Sequence, residues 1–264
     1  MDGPSDVACF SKPEGIAIGP DGDLYVADSE NNRIRKITLQ SGKIAVTTIA
    51  GRGIQGFADK PKTSAQFYNP SKLAVDRSGN IFVADTCNAR IRKITDDGAV
   101  STIASHPESA SETFTPPGIA MDPKGDIYFS DSANHRICTL RRTDKGFSFS
   151  VLTGSKDFAL NDDLEQISCV DGVGSKARFK APHGLASDSE GNIYVADYWN
   201  HRIRMISLKN GEVKVTTLAG GEEGFADGKA KTARFSYPMG VAVDSKGDVY
   251  VADTYNNRIR KILR

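Results

Sequence analysis

The chain is 264 residues long, with a quarter of its residues charged and a formal net charge of +1 at pH 7; that is enough for one large domain, without the basic excess that holds phosphate backbones. No apolar stretch is long enough to cross a bilayer, and MDGPSDVACF has neither the basic nor the apolar region of a secretory leader. Cys9, Cys87, Cys138 and Cys169 fall at unrelated places in the repeats described below, which is not how a repeated disulfide framework looks and points to a reducing, cytoplasmic setting.

Residues 2–13, DGPSDVACFSKP, align with 227–238, DGKAKTARFSYP, so the chain is expected to open inside a linker and to be a segment of a longer protein. A first repeat follows over 13–50: PEGIAIG, a tight turn at Gly22, DLYVA, a loop from Asp28 to Arg33, RIRKI, and KIAVTTIA at 43–50. These runs are short, rich in Ile, Val and Tyr, and bounded by turn residues, so they read as strands rather than helices. Gly22 and its counterparts Gly79, Gly125, Gly191 and Gly247 suit hairpin turns that need a positive φ. In the loop, Asn31 and Asn32 can take left-handed backbone angles and Asp28 can accept backbone donors.

Four more repeats are read near 70–104, 116–154, 182–220 and 238–264, with fourth strands GAVSTIA at 98–104, FSFSVLTG at 147–154 and EVKVTTLAG at 212–220 in the first three of them. The fifth stops after its third strand. GDLYVADSENNRIRKI thus recurs as GNIFVADTCNARIRKI, GDIYFSDSANHRICTL, GNIYVADYWNHRIRMI and GDVYVADTYNNRIRKI. From the leading Pro to the Asp is always fifteen residues, while successive repeats are 57, 46, 66 and 56 residues apart; the length variation therefore lies in loops outside a rigid unit. Four antiparallel strands per unit with no helical pattern predict an all-β, single-domain propeller of about five four-stranded blades, the last one incomplete. A sandwich of repeated hairpins would give no reason for the regular period. The strands carrying Gly15, Gly118, Gly184 and Gly240 are expected innermost, with Lys72 in the glycine's place pointing into or across the channel.

The phrases VADSxNNRIRKI and PxGIAIDxxGxIYV resemble the NHL repeat family of propellers, as do the linkers at 51–70 and 220–238. The resemblance implies the fold. The family includes RNA binders, protein-binding scaffolds, sensor domains and a few enzymes, so function must be argued from the site.

Residues present in every repeat are expected to be structural: Asp28 with Arg33, Asp85 with Arg90, Asp131 with Arg136, Asp197 with Arg202, and Asp253 with Arg258, each carboxylate capping its loop while a guanidinium of its own or the adjacent blade completes a charge-assisted pair. Candidate binding residues are those that break the repeat. The fourth repeat has Tyr198-Trp199, with the chain's one tryptophan, where the others have Ser-Glu, Thr-Cys, Ser-Ala and Thr-Tyr; Tyr198, Trp199 and His201 are expected to meet Tyr255 across a blade boundary on the face that carries the variable linkers. The alternative is that Trp199 covers an apolar gap on its own blade. His183 lies at the start of an innermost strand, where the other repeats supply Glu14, Ser71, Pro117 and Met239, too few ligands for the three that a catalytic metal wants. His135 and His201 sit where Asn32 and Asn257 sit and read as turn variants; His106 is a lone loop residue. No cofactor or metal is expected. The linker face sums to a formal charge near −3, which disfavours single-stranded RNA as the ligand. The expected function is a non-catalytic scaffold for a protein or peptide partner, with single-stranded RNA binding, and a hydrolase or lyase site at the central channel, as the alternatives.

Overall fold

A computed structural model describes residues 1–40, 42–105, 115–155 and 169–264. The first sheet pairs Pro13–Ile18, Leu24–Asp28, Arg33–Gln40 and Lys43–Ala50 in sequence order, and Gly3–Pro4 adds a short strand outside the last of these. The second runs through Pro70–Val75, Ile81–Asp85, Arg90–Ile94 and Val100–Ser105; the third through Ile119–Met121, Ile127–Asp131, Arg136–Thr143 and Gly146–Gly154. The fourth comprises Pro182–Ser187, Ile193–Asp197, Arg202–Lys209 and Glu212–Gly220, with Gly172–Val173 outside. The fifth has three strands, Pro238–Val243, Val249–Asp253 and Arg258–Ile262. The fold is all-β, a five-blade propeller of antiparallel meanders. Gly22, Gly79, Gly125, Gly191 and Gly247 all take φ between 80° and 88°, as their hairpins require. Among the described residues no helix is long and apolar enough to cross a membrane, and the four cysteines are free thiols.

The chain forms two compact bodies, Met1–Ile119 and Ala120–Arg264. In the first, Ala27 and Ile34 of blade one pack with Leu73, Ile81 and Val83 of blade two, and Phe67 of the intervening linker plugs the seam. In the second body Phe179 and Phe235 do the same between blades three and four and between blades four and five. The central strands IFVAD, IYFSD and IYVAD are buried along their whole length, and a strand buried on both sides has no need to alternate between apolar and polar residues.

First strands of neighbouring blades approach so closely that glycine is needed. A Cβ on Gly15 would lie 2.5 Å from the Ser71 carbonyl, and one on Gly184 would lie 2.5 Å from that of Met239. Lys72 stands at the glycine position of blade two and its ammonium donates to the Glu14 carbonyl of blade one, so it reaches across to the neighbouring first strand. Gly184→Ala should cost about 1–3 kcal/mol in thermal unfolding, whereas Gly240→Ala, whose Cβ would first meet the Ala252 side chain at 3.3 Å, should cost visibly less.

Candidate functional site

The five repeated aspartates, Asp28, Asp85, Asp131, Asp197 and Asp253, are fully buried. In four blades one carboxylate oxygen accepts a backbone N–H from the linker, 2.8 Å from Ser11, Tyr68, Lys180 and Ser236 respectively. The other accepts from the loop asparagine, Asn31, Asn88, Asn200 or Asn256, at 2.8–2.9 Å. These contacts tie linker to loop, the work of a structural residue.

The guanidinium partner is not the one expected from sequence. Asp28 pairs with Arg35 rather than Arg33, Asp85 with Arg92 rather than Arg90, Asp197 with Arg204 rather than Arg202, and Asp253 with Arg260 rather than Arg258, at 2.7–2.9 Å. Arg33 stands directly opposite Asp28 in the ladder, and Arg35, two residues along on the same face, reaches back diagonally to the carboxylate. The first arginines have other work: Arg90 and Arg258 stack on the linker rings Phe57 and Phe225 at 4.0 Å. Blade three is the exception. Cys138 replaces the second arginine, and Arg136 Nε holds Asp131 at 2.8 Å as expected. The Cys138 thiol is fully buried and burial pushes its pKa up to about 12, so it packs as an inert apolar group.

The residues singled out in repeats four and five come together. Tyr198 lies 4.7 Å from His183 and 5.8 Å from Trp199 between ring centroids. They converge on Tyr237, which the sequence reading missed: it lies 5.0 Å from Tyr198, 5.4 Å from Trp199, 4.5 Å from His201 and 4.7 Å from Tyr255. Tyr237 precedes the blade-opening Pro238, where the other repeats have Lys12, Asn69, Thr115 and Ala181; an aromatic replacing small and polar residues there was the available signal. Its φ of 48° turns the ring back into the cluster. Trp199 is 49% exposed and Tyr255 62% exposed, and the covered part of the Trp199 ring lies edge-on against Tyr198 and Tyr237. Burial, aided by a hydrogen bond with Tyr255, pushes the Tyr198 phenol up to about 12. Tyr198 therefore stays a neutral phenol within a cluster of edge-on and tilted rings.

His135 and His201 act as turn residues, both in the left-handed region at φ 54° and 52°. Each also accepts a linker N–H on Nδ1, from Ala181 at 3.0 Å and from Tyr237 at 3.3 Å; Asn32 Oδ1 does the same for Asn69 at 3.0 Å. Burial lowers the pKa of both imidazoles, and protonation of Nδ1 would remove the acceptor. With the folded pKa below the unfolded one, the unfolded chain binds more protons, so stability present above about pH 6.5 is lost as pH falls through the folded value. His201→Asn should keep the fold and flatten that part of the stability profile, measured by denaturant unfolding between pH 7.5 and pH 5 or about that range. His106 lies outside the described residues. Among the described residues no group of three His, Cys, Asp or Glu side chains comes together as metal ligands would.

A family model for the NHL repeat matches residues 10–37, 67–94, 179–204 and 235–262, four of the five blades. The chain belongs to the NHL repeat family. Blade three, where Cys138 replaces the buried arginine, is the one left unmatched. This NHL propeller is 30% identical over 278 residues to Protein SUPPRESSOR OF QUENCHING 1, chloroplastic, of Arabidopsis thaliana, covering 99% of the chain and 26% of that protein. It is 28% identical over 285 residues to human NHL repeat-containing protein 2, covering 99% of the chain and 32% of the relative. The chain thus spans a third or less of the length of these relatives. A shorter match, 34% identity over 90 residues covering 34% of the chain and 24% of the relative, is to a probable peptidyl-alpha-hydroxyglycine alpha-amidating lyase of Caenorhabditis elegans. Among solved structures, an auxiliary nutrient binding protein from Bacteroides ovatus superposes with a TM-score of 0.72 at 20% identity, covering 97% of this chain and 60% of that one. The fold is thus shared by proteins of differing function, enzymes among them.

Proposed function

We propose that this NHL propeller is a non-catalytic binding scaffold that recognises a protein or peptide through the aromatic surface of blades four and five. The observation that carries the reading is the convergence of Tyr198, Trp199, Tyr237 and Tyr255, each within 5.8 Å of a ring neighbour and two of them largely exposed. Stacked aromatics with little rotamer freedom are the anchors around which interface hot spots form. His183, the residue best placed by sequence for acid–base or metal chemistry, packs its ring on Tyr198 and serves here as part of the platform. Single-stranded RNA also stacks on aromatic rings, but it needs a basic groove along its backbone, and the near-neutral chain supplies no such excess.

Site-directed photocrosslinking tests the proposal. A photoreactive residue at position 199 should trap a polypeptide partner in nuclease-treated extract, whereas the same residue at the equivalent position 30 on blade one should not. Equal capture at both positions, or capture abolished by nuclease, would reject it.

A further inference from the structure

A second constellation recurs at the end of the strands that carries the tight glycine turns. In blade five Tyr250 stands opposite Lys261 in the ladder. Its hydroxyl donates to Asp244 at 3.2 Å, and the Lys261 ammonium lies 2.8 Å from Asp248 and 5.2 Å from the centre of the Tyr250 ring. Blade one repeats this: Lys36, opposite Tyr25, lies 2.9 Å from Asp23 and 5.3 Å from the ring. In blade four Met205 replaces the lysine opposite Tyr194, and the cation comes from the next blade instead, Arg264 lying 3.3 Å from Asp188 and 5.7 Å from the Tyr194 ring. Three of the four tyrosines at this position, Tyr25, Tyr194 and Tyr250, therefore hold a cation against a carboxylate.

Blade three has the tyrosine and the carboxylates without the cation. Tyr128 donates to Asp122 at 3.2 Å, as Tyr250 does to Asp244, and Asp126 occupies the place of Asp23 and Asp248 in the repeat. Thr139 stands opposite Tyr128 where the lysine belongs, and Leu208 of blade four fills the place that Arg264 takes in blade five. Both sources of positive charge are replaced by neutral side chains. The Thr139 hydroxyl is buried and makes no hydrogen bond, so the position keeps an unfavourable polar group with no partner inside the protein. Between blades three and four lies a cavity of about 290 Å³, lined by Asp122, Asp126, Tyr128, Leu208 and the exposed Glu190 and Glu212. The corresponding cavity between blades one and two, lined by Tyr25, contains its own Lys36. Lys124 and Arg141 also line the cavity of blade three, but among the described residues neither pairs with Asp122 or Asp126. Glu190 is held by Lys209 at 3.3 Å, which leaves three unpaired carboxylates facing two cations and a field that favours a positive ligand.

We propose that this cavity binds a primary ammonium group on a flexible alkyl stem, the group that Lys36 and Lys261 supply in their own blades. The ammonium takes the place of the lysine head, over Tyr128 and against Asp126, with its stem along Leu208. A volume of about 290 Å³ is at the small end of ligand sites and suits one small amine or one side chain. The same chemistry is offered by a free diamine and by a lysine side chain of a polypeptide. The cavity reaches Gly191, at the opposite end of Ile193–Asp197 from Tyr198, so the proposal is independent of the aromatic surface.

Two probes, cadaverine and a lysine capped at both its amino and carboxyl ends, are titrated into the intact chain by isothermal calorimetry at low salt, with n-pentanol as the uncharged stem. Saturable one-to-one binding of an amine is expected, and none of pentanol. Uptake of cadaverine alone assigns the site to a free amine, and uptake of the capped lysine assigns it to a partner's side chain; either supports the proposal. Asp126→Asn keeps the Oδ1 that accepts the Arg142 N–H, so it should fold, and it should weaken binding about tenfold or more through the loss of a charged acceptor. Thr139→Lys rebuilds the arrangement of blade five and should abolish uptake while raising the melting temperature. Trp199→Ala should leave binding unchanged. Failure of both amines to bind, equal binding of pentanol, or undiminished binding by Asp126→Asn would overturn the proposal. So would uptake seen only in Arg141→Gln, because Arg141 would then fill the site itself.

Discussion

Asp197→Ala should lower stability by about 3–5 kcal/mol, because it leaves a buried guanidinium without its counter-charge. Asp197 and Arg204 are both fully buried and lie 2.8 Å apart. Burial works against the Arg204 charge, and Asp197 is the first of the groups that hold its proton on. Asp197 also accepts the Lys180 N–H and the Asn200 amide, so the truncation releases linker and loop together. In a chain of this size each kcal/mol moves the melting temperature by roughly 2–4 °C, a large shift in a calorimetric scan. Arg204→Ala should be comparably damaging, while Arg202→Ala should cost about 1 kcal/mol or less. Equal effects at 202 and 204 would contradict the assignment of the buried pair.

The second large effect is on recognition. Trp199→Ala should weaken partner binding about thirtyfold, the roughly 2 kcal/mol that truncation of a central anchor costs, with the melting temperature little changed because the ring is half exposed. Tyr237→Ala should weaken binding as well, since Tyr237 touches four of the other rings, but it should also lower stability because the rings of Tyr198 and His201 lose the side chain they pack against. The contrast between a variant that loses binding alone and one that loses both separates an anchor from its support. If Trp199→Ala lowered the melting temperature and left binding intact, the ring would be a cover for its own blade.

The blades were legible because repetition writes each structural requirement several times: the Pro-to-Asp interval, the turn glycines and the strand runs recur from blade to blade in the fold. The ion-pair partner was not legible, since RIR offers two arginines on one face and only the depth of the strand tells which reaches the carboxylate. Tyr198, Trp199, His201 and Tyr255 could be picked out as breaks in the repeat, but Tyr237 lies in a linker, and its role depends on a left-handed backbone turn that brings a residue 36 positions from His201 against it.

The central claim is that an uncharged aromatic surface recognises a polypeptide, and its most direct test is the affinity of the crosslinked partner for the wild-type chain and for Trp199→Ala across about 50 to 500 mM salt. The account predicts nearly salt-independent binding that drops about thirtyfold in the variant at every salt concentration. Binding that falls steeply with salt and ignores Trp199 would contradict it and assign the surface to a phosphate backbone.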